Sequence, residues 1–387
     1  MLPFPVLGLA LGQALLISGN ILLVTVSALI GQKLAPAPMW VTVPVALQFL
    51  GLMSATLPAA LLMGWFGRKL GFFIGNIIGL GGALLALWAL YSESFALFCL
   101  STTLLGVAIG VGQQYRFAAV ELCPPHQHAQ AISWVMGGGV LAAFLGPNLA
   151  VWAKTWFAVD PFIGPFAALA GLYLFTTLLV LLLPLPKPLS AAQQAGGRGY
   201  GALLRQPLLV AAIAAGSIGY GVMVLVMTAT PLAMQAAGFD FSRIASVIQW
   251  HVLGMFVPSF FTGHLLRYWG SLRVIVLGCV LLVLVAGLTQ LGHSYTHFLL
   301  ALVVLGVGWN FTFIGATHLL TQTYQPSERA RVQGMNDMLV FSFSALGSLG
   351  AGALQLSLGW QWLNLLMLPF IGVAAALVLL QGRKKAG

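Results

Sequence analysis

Four side chains in the middle of the chain carry metal-binding donor atoms at helical spacing: Met223 and Met227, then His251 and Met255. Residues four apart stack on one helix face, so each pair presents two donors along one stripe. Thioether sulfur is a soft, uncharged ligand that favours Cu(I) over zinc, magnesium or calcium, and neutral imidazole suits either oxidation state of copper. The break at Gly238-Phe239-Asp240 between the pairs makes their helices antiparallel neighbours. With helices over about 208–234 and 243–266, Met223 and Met255 fall near mid-depth, and Met227 and His251 one turn further out. That arrangement would form two rungs, Met227 with His251 and Met223 with Met255. The bland alternative is adaptable filling of apolar helices by methionine, of which the chain has 12. A histidine inside an apolar span is costly and points to a site.

The elements that hold these residues are apolar from end to end. With 60% hydrophobic and 6% charged residues and a mean hydropathy of +1.00, a soluble domain is excluded; the chain reads as an all-α polytopic membrane protein. Runs long enough to cross a bilayer fall at about 5–31, 40–63, 72–91, 95–119, 130–152, 161–184, 208–234, 243–266, 274–292, 298–320, 332–354 and 361–381. Met1-Leu-Pro-Phe-Pro lacks a basic region and leads into a full-length span, so no cleaved signal is expected. The polar stretch 185–207 divides residues 1–184, an N-terminal six-helix half, from residues 208–387, a C-terminal half that carries all four donors.

An internal repeat supports that division. Shifted by 203, Gln48-Phe-Leu-Gly51 falls on His251-Val-Leu-Gly254 and Gly67 on Gly270; shifted by 201, Pro125 to Ala129 falls on Pro326 to Ala330. Parallel six-helix repeats with a site near mid-membrane are an organisation of secondary transporters. Gln48 stands where the second half has His251, so the donors belong to one half only.

The net charge of +10 is asymmetric along this topology. Thirteen basic residues, among them Arg68, Arg116, Arg198, Arg267, Arg273, Arg329 and Lys384, fall at one set of helix ends; only Lys33, Lys154 and Arg243 fall at the other. The positive-inside rule then places both termini and the linker in the cytoplasm; the membrane itself is expected to be a bacterial inner membrane. This distribution serves topology and excludes a nucleic-acid role. Cys99, Cys123 and Cys279 make neither a disulfide framework nor a metal motif. No catalytic triad, carboxylate pair or phosphate loop can be assembled, so the chain is not read as an enzyme and needs no resident cofactor.

With Met223, Met227, His251 and Met255 on adjacent helices, the chain resembles the CcoA-like copper transporters, a branch of the major facilitator superfamily. The resemblance implies that fold, with twelve transmembrane helices, and those four residues as copper ligands. It further implies copper import for assembly of a cbb3-type cytochrome oxidase, with copper as transported substrate, copper chaperones on either side as partners, and a monomer in the bilayer. Ala60-Leu61-Leu62-Met63-Gly64-Trp65-Phe66-Gly67-Arg68-Lys69 resembles the superfamily's Gly-x-x-x-Asp-Arg-x-Gly-Arg-Arg gating signature without its leading Gly and its Asp.

Other polar residues fall inside spans. Asp337 is either a proton-coupling carboxylate or a partner of Arg329 or Arg331 at the rim; Arg116 and Glu121 are expected to form a gate ion pair; Asn310 and Gln48 are expected to face the transport path. His293 and His297, four apart, could collect metal outside. Two rival functions remain: a proton-coupled carrier of an organic solute, vitamin-like or drug, with methionine merely lining the path, and an assembly factor with a transporter's fold.

Overall fold

A bilayer core offers no water to backbone polar groups, so an apolar chain must satisfy them within its own segments; each long apolar run of this chain is accordingly helical. The structure is a computed structural model that describes residues 2–37, 40, 43–157, 160–186 and 197–386; residues 187–196 of the expected linker lie outside the described residues. The helices are α1 Phe4–Leu34, α2 Val43–Phe66, α3 Arg68–Tyr91, α4 Phe95–Gly112, α5 Tyr115–Glu121, α6 His128–Gly137, α7 Gly139–Ala153 and α8 Ile163–Leu182. After the linker come α9 Tyr200–Leu204, α10 Pro207–Ala236, α11 Phe241–Phe256, α12 Ser259–Trp269, α13 Ser271–Gln290, α14 Tyr295–Leu320, α15 Arg329–Leu365 and α16 Leu368–Ala386.

Eleven described stretches are long and apolar enough to cross a membrane. The last runs from Pro326 to Gly382, and Gly359 inside it has φ 77 and ψ 171, a turn that cuts it into two spans and brings the total to twelve. Several expected spans are each built from two helices. The fourth is broken at Gln113–Gln114, the fifth at Gly138 and the eighth at Val257–Pro258, where proline has no N–H to continue the ladder. Large apolar side chains such as Trp88, Leu182, Phe261 and Leu356 stay exposed on the helices, as a lipid-facing surface requires.

The repeat is visible in local geometry. Gly67 and Gly270, each a single-residue joint between consecutive spans, have φ of 91 and 77, values that favour glycine. Pro125–Gln127 and Pro326–Glu328 are both 3-10 turns, and the hydroxyls of Ser94 and Ser294 cap α4 and α14 in the same way.

The chain forms two compact units. One contains Met1–Pro125, Gly138–Ala195 and Arg329–Met338; the other contains His126–Gly137, Gly196–Glu328 and Leu339–Gly387. Each unit therefore includes the first turns of a span whose remainder belongs to the other. Small residues permit this within each unit: a Cβ on Gly334 would lie 2.7 Å from a Leu57 methyl, and one on Gly263 would lie 3.0 Å from Gln130 Cα.

Candidate transport site

In the second unit, α11 and α14 pack backbone to backbone. A Cβ on Gly306 would lie 2.6 Å from His251 O, and one on Gly254 would lie 2.7 Å from Val303 O. His251 is fully buried at this contact, with Nδ1 2.7 Å from Leu302 O. A carbonyl can only accept, so Nδ1 carries the hydrogen and Nε2 keeps its lone pair. Nε2 has no hydrogen-bond partner. Met255, one turn on, is buried; Met223 is buried and Met227 half-buried on α10, which also packs on α14. Both donor-bearing helices thus pack on the same neighbour.

Beside these residues is an aromatic cluster that spacing does not single out. Trp309 stacks on Phe313 with centroids 5.2 Å apart; Tyr220 meets Trp309, Phe313 and Phe341 edge-on at 5.4, 5.0 and 5.4 Å; Phe256 meets Trp309 at 5.7 Å. Trp309 Nε1 is buried without a hydrogen-bond partner. The five rings come from α10, α11, α14 and α15, so no local sequence pattern could have grouped them.

Asn310 corrects the expectation that it faces the transport path. Its Nδ2 donates to Met255 O at 2.6 Å and to Ser259 Oγ at 2.7 Å, and its Oδ1 accepts from Thr262 Oγ1 at 2.6 Å. The break before Pro258 leaves Met255 O without a helical partner, and Asn310 supplies one. It is a buried tie for the broken eighth span.

In the first unit, Arg116 and Glu121 do not pair with each other, contrary to expectation. Five residues apart on a helix, they diverge by about 140°, and each finds another partner. Arg116 donates from Nη2 to Asp337 Oδ1, and both side chains are essentially fully buried. Asp337 also accepts from Gln114 Nε2 at 3.0 Å and Asn336 Nδ2 at 2.9 Å, so it sits inside the protein and not at a rim with Arg329 or Arg331. Glu121 is held by Arg68 at 2.5 Å and Arg329 at 3.3 Å. Gln114 joins the two pairs, since its Oε1 accepts from Arg68 Nη1 at 3.0 Å, and Gln333 accepts from Arg68 Nη2 at 2.6 Å. Arg68, from the turn lacking its acid, therefore finds one on α5. Gln114 and Gln333 escaped the sequence reading; the polar Gln113-Gln114 pair interrupting an apolar span was the available signal.

Gln48, the repeat equivalent of His251, is buried and donates to Asn20 Oδ1 at 2.7 Å. His297 Nδ1 is 2.8 Å from Ser294 Oγ while His293 tilts against Phe298, so they are not arranged as a pair. No group of three or more His, Cys, Asp or Glu residues that could hold a metal occurs among the described residues.

The chain matches the model of the Major Facilitator Superfamily over residues 9–341 and 218–386. The chain belongs to this superfamily. It is a secondary transporter of a lipid bilayer, not an enzyme. Among curated relatives it is similar to the riboflavin transporter RfnT of Brucella anthropi, at 39% identity over 379 residues, covering 97% of this chain and 95% of that one. It is also similar to an uncharacterized transporter of the superfamily, YdeG of Bacillus subtilis, at 30% identity over 372 residues, 90% of this chain and 86% of that one. Among solved structures, the human organic anion transporter MFSD10 aligns with a TM-score of 0.79 at 16% identity, covering 97% of this chain and 100% of that one. A bacterial homologue of the iron transporter ferroportin aligns with a TM-score of 0.73 at 14% identity, covering 97% and 99%. These two likenesses establish the fold alone. The curated relative of highest quoted identity is a riboflavin transporter and not a member of the copper branch that the four donors resemble.

Proposed function

We propose that the protein imports a small organic solute with a planar heteroaromatic ring, of the riboflavin type, across a bacterial cytoplasmic membrane by alternating access. The observation that carries this reading is the 39% identity to a riboflavin transporter along 97% of the chain. The rings of Tyr220, Trp309, Phe313 and Phe256 support it, because aromatic faces and edges favour a flat aromatic guest. Trp309 Nε1–H and His251 Nε2 add one donor and one acceptor, both buried and unpartnered. Leaving such an atom unpaired costs about 1–3 kcal/mol, which a ligand with complementary ring nitrogens and carbonyls would offset.

One feature favours a second reading, copper uptake. The Leu302 carbonyl holds the His251 ring with a bare, buried Nε2 one turn from Met255, the arrangement of a neutral imidazole ligand fixed by its other nitrogen, and Met223 and Met227 lie on a helix that packs on the same neighbour. In that reading copper chaperones receive the ion and a cbb3-type oxidase is its destination.

In both readings the Arg116–Asp337 and Arg68–Glu121–Arg329 contacts form an inner gate that opens and remakes during transport. The basic helix ends, both termini and the linker face the cytoplasm. The deciding experiment measures riboflavin and copper accumulation in the same cells, with and without the gene expressed. Riboflavin uptake should rise with expression in a riboflavin auxotroph while cell copper stays constant. Trp309→Leu should lose uptake while Met227→Leu and Met255→Leu keep it, because leucine conserves volume and hydrophobicity. The organic-solute reading fails if copper rises instead and is lost in Met227→Leu, Met255→Leu and His251→Leu but not in Met53→Leu or Met367→Leu.

A further inference from the structure

The second unit carries a site unrelated to the aromatic cluster or the gate. At the ends of the eighth, ninth and tenth spans an open cavity of about 500 Å3 is lined by Leu266, Trp269, Ser271, Arg273, His318 and Gln322. We propose that this cavity binds the phosphate of an anionic phospholipid headgroup.

The charge balance is the first argument. The chain has six acidic side chains. Glu121, Asp160, Glu328 and Asp337 are paired with Lys33, Arg68, Arg116, Arg198 and Arg329. Asp240 caps α11 at the opposite membrane face, and Glu93 lies in the turn after α3 on that face. Among the described residues no acidic side chain is left for Arg273 in the cavity or for its neighbour Arg267. The remaining polar lining is rich in donors: Ser271 Oγ lies 2.7 Å from His318 Nδ1, Gln322 brings an amide, and no side chain caps the first turn of α13, which opens at Gly270 and Ser271 on the cavity wall. Cationic and donor groups without an acid suit a phosphate.

The surroundings set the depth. Tyr268 and Trp269 are exposed at 76% and 50%, and the Arg267 guanidinium lies 5.9 Å from the Tyr268 ring centre. Aromatic side chains of this kind lie at headgroup level in a bilayer. Gly382 also lines the cavity. Leu266, Leu319 and the Trp269 ring give the cavity apolar walls, which favour a phosphate continuous with acyl chains over a soluble phosphate ester.

The test is native mass spectrometry of the full chain in mild detergent, with phosphatidylglycerol or phosphatidylcholine added in equal amounts. Wild type should retain phosphatidylglycerol in preference to phosphatidylcholine. Arg273→Gln should weaken that retention roughly fivefold, the effect of one basic side chain at an anionic surface, and Arg273→Lys should keep most of it. Arg205→Gln, a basic residue at the same membrane face but not lining the cavity, should retain lipid as wild type does. Inorganic phosphate at millimolar concentration should not displace the lipid; displacement would assign the site to a soluble phosphate ester and overturn the lipid proposal. Equal retention by wild type and a folded Arg273→Gln, checked by its unfolding temperature, would also overturn it.

Discussion

Replacing Asp337 by asparagine removes one charge of a buried pair and keeps nearly the same shape. The carboxylate receives three donors, Arg116 Nη2, Gln114 Nε2 and Asn336 Nδ2. An asparagine must turn its NH2 toward one of them, so at least one hydrogen bond is lost. The larger effect is on Arg116, whose side chain is 1% exposed and would keep its charge with no carboxylate against it. Breaking a buried pair from one side costs about 3–5 kcal/mol, whereas removing both charges costs far less. Arg116→Gln with Asp337→Asn should therefore be more stable than the sum of the single losses by roughly 1–3 kcal/mol. Unfolding in mixed micelles at increasing denaturant can be followed by fluorescence of the 11 tryptophans. The reasoning is refuted if Asp337→Asn unfolds with the wild type, or if the double variant falls by the full sum.

Three further outcomes are expected. Asn310→Leu strands Met255 O and Ser259 Oγ, while the Thr262 hydroxyl keeps Pro258 O as an acceptor at 2.9 Å; at about 1–3 kcal/mol for each buried unpaired group, it should lose roughly 2 kcal/mol or more in the same assay, and a variant as stable as wild type would show that the eighth span holds without this tie. Gly306→Ala drives a methyl into the His251 backbone carbonyl and should cost about 1–3 kcal/mol, while Gly372→Ala, with nothing near its Cβ, should be neutral or better in its helix. In intact cells with Cys123 replaced by Ser, Gly197→Cys should resist an impermeant thiol reagent; efficient labelling would place the linker outside and reverse the topology.

The twelve spans, their ends within a few residues, the repeat and the glycine joints at Gly67 and Gly270 could be read from the sequence. These features are local: a span is an apolar run of bilayer length, and a sharp joint needs a residue that tolerates positive φ. Only the tertiary structure decided the partners of the polar side chains inside the spans. Arg116 meets Asp337 across 221 residues of chain, Gln114 bridges two ion pairs, and Asn310 ties a proline break, because each contact depends on the rotation and crossing of helices far apart in sequence. The donor pattern of Met223, Met227, His251 and Met255 named the atoms that could bind soft metal. How His251 spends its two nitrogens was settled by a carbonyl on another helix, and the rings of Tyr220, Phe256, Trp309, Phe313 and Phe341 were assembled by packing from four helices that share no sequence motif.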